Sequence, residues 1–198
     1  MAAELVKLRY PAGCSDPTLS AQRTPMTVNE ERHGSTPIYL LYEEDLEQWR
    51  ATQDESTRNW SAANCFKAER GKLLVIPGSN GRPSAVVVGL GRRNPREDLS
   101  CWAAAAIPDR LPDGDYHLAE TLPVRLATQF AFGWAYGQYK FERYRRSNPQ
   151  RAVNLRTPPE ADAAEVARLR AATALARDLI NTPANDLSPE ALAQAAVE

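Results

Sequence analysis

Two short apolar runs limit the fold more than any other part of the chain. Lys72-Leu73-Leu74-Val75-Ile76 and Ala85-Val86-Val87-Val88-Gly89 are each of strand length and rich in β-branched residues. Between them lies Pro77-Gly78-Ser79-Asn80-Gly81-Arg82-Pro83, whose residues suit a hairpin-like turn. A third run, Ile38-Tyr39-Leu40-Leu41-Tyr42, has no polar alternation, which predicts a strand buried on both faces. Strands of this kind need helices above and below them.

Helical patterns lie between the strands. Glu43, Glu44, Asp45 and Glu47 suit a first helical turn, read as a solvated helix start. Helices are expected over Ser56–Asn64, with Trp60 and Ala63 on one face, and over Asp98–Ile107, with Leu99, Trp102, Ala103 and Ala106 on one side. A further helix over Leu122–Gln138 carries Leu126, Phe130, Gly133, Trp134 and Gly137 on its apolar face, and the glycines would admit another element closely. Weaker strands are read at Glu4–Tyr10, near Met26–Val28, at Asp115–Ala119 and at Arg151–Leu155. Strands interleaved with helices predict a mixed α/β domain.

Pro158 and Pro159 close this unit. Asp162 and Glu165 then have capping-box spacing, each predicted to bond back to the other's backbone. Val166, Leu169, Thr173, Ala176 and Ile180 continue at helical spacing, giving a helix of about 19 residues, near 28 Å long. That length could bridge two domains. Pro183 ends it, and Ser188 with Pro189 sets the N-cap and first-turn proline of a following helix.

The composition of the 198 residues excludes several classes of function. A net charge of −1 gives no global attraction to nucleic acid or anionic lipid. No apolar run approaches the roughly 20 residues that span a bilayer, and Met1–Lys7 lacks a secretory pattern. Cys14, Cys65 and Cys101 are widely spaced and odd in number, which fits a reducing cytoplasm rather than a disulfide framework.

Candidate chemical motifs mostly fail on inspection. Val87-Val88-Gly89-Leu90-Gly91 follows a strand, but Asn94-Pro95 stands where a dinucleotide fingerprint needs its third glycine, so a tight strand-end turn is the better reading. His33 and His117 are isolated in sequence, and His117 reads as a strand-edge residue. Asp109, Asp113 and Asp115 sit in a Pro/Gly turn without the apolar setting that tunes a catalytic acid. Lys140, Arg143, Arg145, Arg146 and Arg151 interleave with Tyr139, Phe141 and Tyr144. This cluster supports two readings: aromatics docked on the preceding helix end with the arginines solvated, or a contact surface for nucleic-acid phosphates and bases. No nucleophile motif and no metal-ligand spacing occur in the sequence, so catalytic and metal residues are assigned as none.

Several blocks, in order, resemble the leucyl aminopeptidase family. They are Trp60 with Phe66, Lys72–Gly78, Val86–Gly91, the Gly137-x-Tyr139-x-Phe141-x-x-Tyr144 segment, and Ala176–Pro189 with Asn181-Thr182-Pro183-Ala184-Asn185 at its centre. The resemblance covers most of residues 38–198. It implies a macrodomain-like α/β domain over 1–157, a mixed sheet flanked by helices. A long interdomain connecting helix over 158–181 and the start of an absent catalytic domain over 182–198 would follow.

Asn181, Pro183, Asn185, Ser188 and Pro189 would be structural residues of the domain junction. Family members are cytoplasmic hexamers whose catalytic domains hold two divalent ions, Mn or Zn, through an Asn-Thr-Asp-Ala-Glu-Gly-Arg motif that this chain does not contain. The resemblance therefore implies a non-catalytic N-terminal domain of a two-metal aminopeptidase. Its partners would be its own catalytic domain and a homo-hexamer, and it would serve assembly, stability or active-site access. Two alternatives follow: a nucleic-acid-binding accessory module, and ADP-ribose binding through the macrodomain-like fold. Without the core that would bury Leu187, Leu192 and Val197, residues 182–198 are expected to be disordered or docked in a non-native way.

Overall fold

The computed structural model describes residues 34–79, 81–94, 99–144 and 151–197. The strands read at Glu4–Tyr10 and Met26–Val28, together with Cys14, His33, Asp98, Arg145 and Arg146, lie outside the described residues. The chain divides into two units, of which residues 33–176 form one. That unit is a five-stranded sheet with helices against it.

Strand β1 (Thr36–Tyr42) is followed by a 3-10 turn (Glu43–Asp45), α1 (Leu46–Ala51) and α2 (Glu55–Ala63). The hairpin β2 (Leu73–Pro77) and β3 (Pro83–Gly91) comes next, then α3 (Cys101–Ala105), β4 (Gly114–Leu118), α4 (Val124–Gly137) and β5 (Val153–Leu155). The sheet order is β2-β3-β1-β4-β5. β1 runs parallel to both β3 and β4, and β4 parallel to β5, while β2 is antiparallel to β3.

The alternation of side chains across each strand explains the unbroken apolar runs. Ile38 and Leu40 of β1 join Val86, Val88 and Leu90 of β3 on one face, where Phe130 and Trp134 of α4 and Ala104 of α3 cover them. Leu41 faces the opposite side with Val87, Leu74 and Ile76, where Leu46 and Trp49 of α1 pack with Phe66 and Ala68. Each residue of these runs has a core to enter, so none needs to be polar.

Local chemistry sets the helix ends. Asp54 caps α2 by accepting from the Thr57 amide at 2.8 Å, and Ser100 caps α3 by accepting from Trp102 at 3.3 Å. α3 is shorter than its sequence pattern, and its buried residue is Ala104, whereas Trp102 is 61% exposed. The expectation that Trp102 joins the apolar side is thus corrected. Its ring stands edge-on to Tyr136 of α4, with centroids 5.1 Å apart. The strand read at Asp115–Ala119 is interior, with Tyr116 fully buried.

The glycines of α4 act as the sequence suggested. A Cβ on Gly133 would lie 2.1 Å from the Cys101 carbonyl oxygen, and one on Gly137 2.0 Å from that of Ala105. Bare backbone at both positions is what lets α3 lie against α4.

α5 (Ala163–Asn181) has the expected nineteen residues, none of them buried. Only half of the predicted capping box forms. Asp162 Oδ1 accepts from the Glu165 amide at 2.9 Å, but the Asp162 amide donates to Thr128 Oγ1 of α4 at 2.9 Å, and Glu165 pairs with Arg168 instead. An acceptor on another helix takes the amide.

The second unit includes residues 177–197, the end of α5 and helix α6 (Pro189–Val197). Ser188 caps α6 by accepting from the Ala191 amide at 3.2 Å. Leu192 and Val197 are exposed on this helix.

Candidate functional site

In open α/β sheets ligands usually sit beyond the carboxyl ends of parallel strands, where the strand order reverses. Here that place is the end of β1, between β3 and β4. It is filled by the protein's own charged side chains. Arg93 Nη2 pairs with Asp45 Oδ2 at 2.5 Å and Arg92 Nε with Glu43 Oε2 at 3.3 Å. Both oxygens of Glu44 accept from the Arg93 amide, at 3.2 and 3.1 Å, and the Arg93 guanidinium lies 4.4 Å from the centre of the Tyr42 ring. The acidic run read as a solvated helix start therefore ties β1 to β3. Its exposed ion pairs contribute little individually.

Glu120 completes this edge from the other side. β4 ends at Leu118, which pairs with Ile38, so it offers no backbone partner to the next inward amide of β1. That amide, of buried Leu40, donates to Glu120 Oε1 at 3.1 Å. Glu120 is exposed as a residue; partial loss of water at its carboxyl raises its pKa, the Leu40 amide opposes this, and the Asp45 charge adds to the rise.

The glycines at the end of β3 are likewise occupied by structure. Gly89 faces the Glu69 carbonyl, where a Cβ would lie 2.3 Å away, and Gly91 turns at φ +77° and donates to Ala68 O at 2.9 Å. They seat a crossing segment, and the strand-end turn reading stands over the phosphate cradle.

A cleft of about 320 Å³ opens at the opposite, amino-terminal edge of the sheet, lined by Gly34, Thr36, Arg82, Asp113, Asp115 and Asn154. Its polar groups largely satisfy one another: Asn154 Nδ2 donates to Asp115 Oδ1 at 3.0 Å, and Thr36 Oγ1 to Pro83 O at 3.1 Å. His117 lies opposite Pro37 inside the sheet rather than at an edge, and its Nδ1 is 2.9 Å from Ser35 Oγ.

The basic-aromatic cluster is brought together only in part. Lys140 and Arg143 are exposed beyond α4, Arg143 lies 5.6 Å from the Tyr144 ring centre, and Phe141 packs on Tyr144 at 5.8 Å. At the junction, Asn181, Pro183, Asn185, Ser188 and Pro189 are all exposed. The buried member is Thr182, which the sequence reading passed over; its hydroxyl donates to Asp178 O at 2.7 Å. Glu120 and Thr128 were missed for a similar reason, since their partners are distant in sequence.

A model of the M17 aminopeptidase N-terminal domain matches residues 36–158. The chain belongs to the M17 aminopeptidase family. The matched span contains β1 through β5 and α1 through α4. A probable cytosol aminopeptidase of Leifsonia xyli subsp. xyli is 29% identical over 145 residues, covering 67% of this chain and 29% of that protein.

The crystal structure of cytosol aminopeptidase from Coxiella burnetii aligns with a TM-score of 0.72 at 28% identity, over 84% of this chain and 35% of that one. The bottromycin maturation enzyme BotP in complex with Mn aligns with a TM-score of 0.57 at 26% identity, over 81% and 34%. The chain thus spans about a third of the length of these relatives. Among the described residues, no group of three or more His, Cys, Asp or Glu side chains is placed to hold a metal ion. The donor set here does not fit a two-metal centre. No helix among the described residues is long and apolar enough to cross a membrane.

Proposed function

We propose that this chain is the non-catalytic N-terminal domain of a leucyl-type M17 aminopeptidase that releases N-terminal residues from peptides in the cytoplasm. The match of residues 36–158 to the family's N-terminal domain carries this reading. Residues 1–157 would form the macrodomain-like domain, 158–181 the connecting helix and 182–198 the first segment of the catalytic domain. Asn181, Pro183, Asn185, Ser188 and Pro189 would fix the turn between them. Two divalent ions, Mn or Zn, would be held by the catalytic domain.

The domain's work in the parent would be assembly into a homo-hexamer, stability, or control of access to the active site. Its two filled sheet faces and self-paired carboxyl edge suit a scaffold better than a ligand-binding module. The test is hydrolysis of leucine-p-nitroanilide by the purified 198-residue chain with added Mn²⁺. No turnover above buffer is expected; metal-dependent turnover would overturn the assignment.

A further inference from the structure

The sheet ends on β2 at one side and on β5 at the other, with no strand beyond either among the described residues. An outermost strand turns alternate backbone groups away from the sheet, and these can pair with another chain. On β2 the Gly89 amide donates to Lys72 O at 2.8 Å, so Lys72, Leu74 and Ile76 address β3 while Leu73 and Val75 address the outside. On β5 the Gly114 amide donates to Ala152 O at 2.8 Å and the Arg156 amide to Tyr116 O at 2.7 Å, so Val153 addresses the outside.

At both ends of the sheet a side chain from a helical segment takes the outward carbonyl. Trp60 Nε1 of α2 donates to Val75 O at 3.0 Å, and Gln138 Nε2, just past α4, donates to Val153 O. The two strands differ in what they would offer without that cover. β5 has three residues with polar Asn154 at its centre, whereas β2 has five and all are apolar. Leu73 and Val75 also lie symmetrically about Leu74. Two copies of β2 laid antiparallel about a two-fold axis at Leu74 would set Leu73 of each opposite Val75 of the other. Each such pair can exchange amide-to-carbonyl bonds. Pairing of this kind needs the Val75 carbonyl of both copies, the atom that Trp60 occupies. Trp60 is 40% exposed and packs in neither core cluster, so its ring stands at the strand edge rather than in the interior.

We propose that Trp60 is an edge guard: its indole covers the outward carbonyl of Val75 and keeps β2 from pairing with β2 of a second copy of the chain. The guard acts at the sheet edge whether or not a catalytic domain is attached. Removing it opens an apolar strand with a self-complementary set of backbone groups, the arrangement that favours strand addition.

The test is sedimentation equilibrium of the ¹⁵N-labelled 198-residue chain, of Trp60→Ala and of Trp60→Phe between about 10 µM and about 1 mM, with amide exchange at both ends of the range. Trp60→Ala is expected to gain mass over the parent as concentration rises, toward double the parent's value. Its Leu73 and Val75 amides should exchange several-fold more slowly at the high end, while Val87, interior to the sheet on β3, stays unchanged. Trp60→Phe keeps a ring and lacks the donor, so it should associate as well, more weakly. If neither variant gains mass over the parent, the proposal is overturned. It also fails if association leaves Leu73 and Val75 exchange unchanged, or if Val75 exchange in the parent slows with concentration as it does in Trp60→Ala.

Discussion

Gly133 on α4 faces the carbonyl oxygen of Cys101 on α3 so closely that a methyl group there would stand 2.1 Å from it. Backbone cannot swing aside as a side chain can, so the helices would have to separate. In a free helix Gly→Ala gains about 1 kcal/mol of propensity. Overpacking a close contact costs about 1–3 kcal/mol or more, and here it wins. Gly133→Ala should lower stability by about 1–2 kcal/mol in urea unfolding, as should Gly137→Ala, which meets the Ala105 carbonyl. A more stable Gly133→Ala would mean that α3 does not lie this close.

That pair was legible in the sequence as two glycines on one helical face, because packing against an adjacent element leaves a periodic mark. The strand cores were legible for the same reason: Ile38–Tyr42 and Ala85–Gly89 are apolar throughout, and both of their faces are buried. Trp102 was less legible. The pattern puts it on one side of a helix with Leu99, Ala103 and Ala106, yet α3 is only five residues long and turns Ala104 inward. The site edge was the least legible part. Glu120, Thr128 and Arg93 act through partners 80, 34 and 48 residues away, and a single sequence carries no signal for such pairings.

The two tryptophans give a direct comparison. Trp134 is 2% exposed and stacks near Phe130 and Tyr116, so Trp134→Ala should cost about 3–5 kcal/mol. Trp102→Ala should cost only about 0.5–1.5 kcal/mol, the scale of its edge contact with Tyr136. Equal losses in guanidinium titrations would contradict the orientation of α3.

α2 ends with a Schellman turn built on an unsuitable residue. The Phe66 amide bonds to Ser61 O at 3.1 Å and the Cys65 amide to Ala62 O at 2.9 Å, with Cys65 left-handed at φ +48°. A side chain in that conformation costs about 1–2 kcal/mol, which glycine avoids at some cost in unfolded-state entropy. Cys65 is exposed, so its removal loses no packing. Cys65→Gly should therefore stabilise the chain by about 0.5–1 kcal/mol, seen as a higher urea midpoint at unchanged slope. A lower midpoint would show that the thiol has a role the geometry does not reveal.

Thr128 links α4 to the start of α5: its hydroxyl donates to Val124 O at 2.8 Å and accepts from the Asp162 amide at 2.9 Å. Thr128→Val keeps the shape and removes both bonds. A loss of about 1 kcal/mol is expected, the worth of a helix cap, with faster exchange at the Asp162 amide. Thr128→Ser should retain most of the stability. If valine and serine behave alike, the hydroxyl is not what holds α5 in place.

Thermal stability should also record the shifted titration of Glu120. Its folded pKa is raised above the ordinary 4.5, chiefly by burial and further by Asp45. The folded chain therefore binds this proton more tightly than the unfolded chain. Through this group, stability is greatest below the unfolded pKa and falls as pH rises through the folded one. Glu120→Gln removes the cost of ionisation while keeping an acceptor for Leu40. The variant should melt at the same temperature as the parent or slightly higher at pH 7, and the gap should close as the pH approaches 4.5. A variant that melts well below the parent at pH 7 would show that the charged hydrogen bond outweighs desolvation and the Asp45 repulsion.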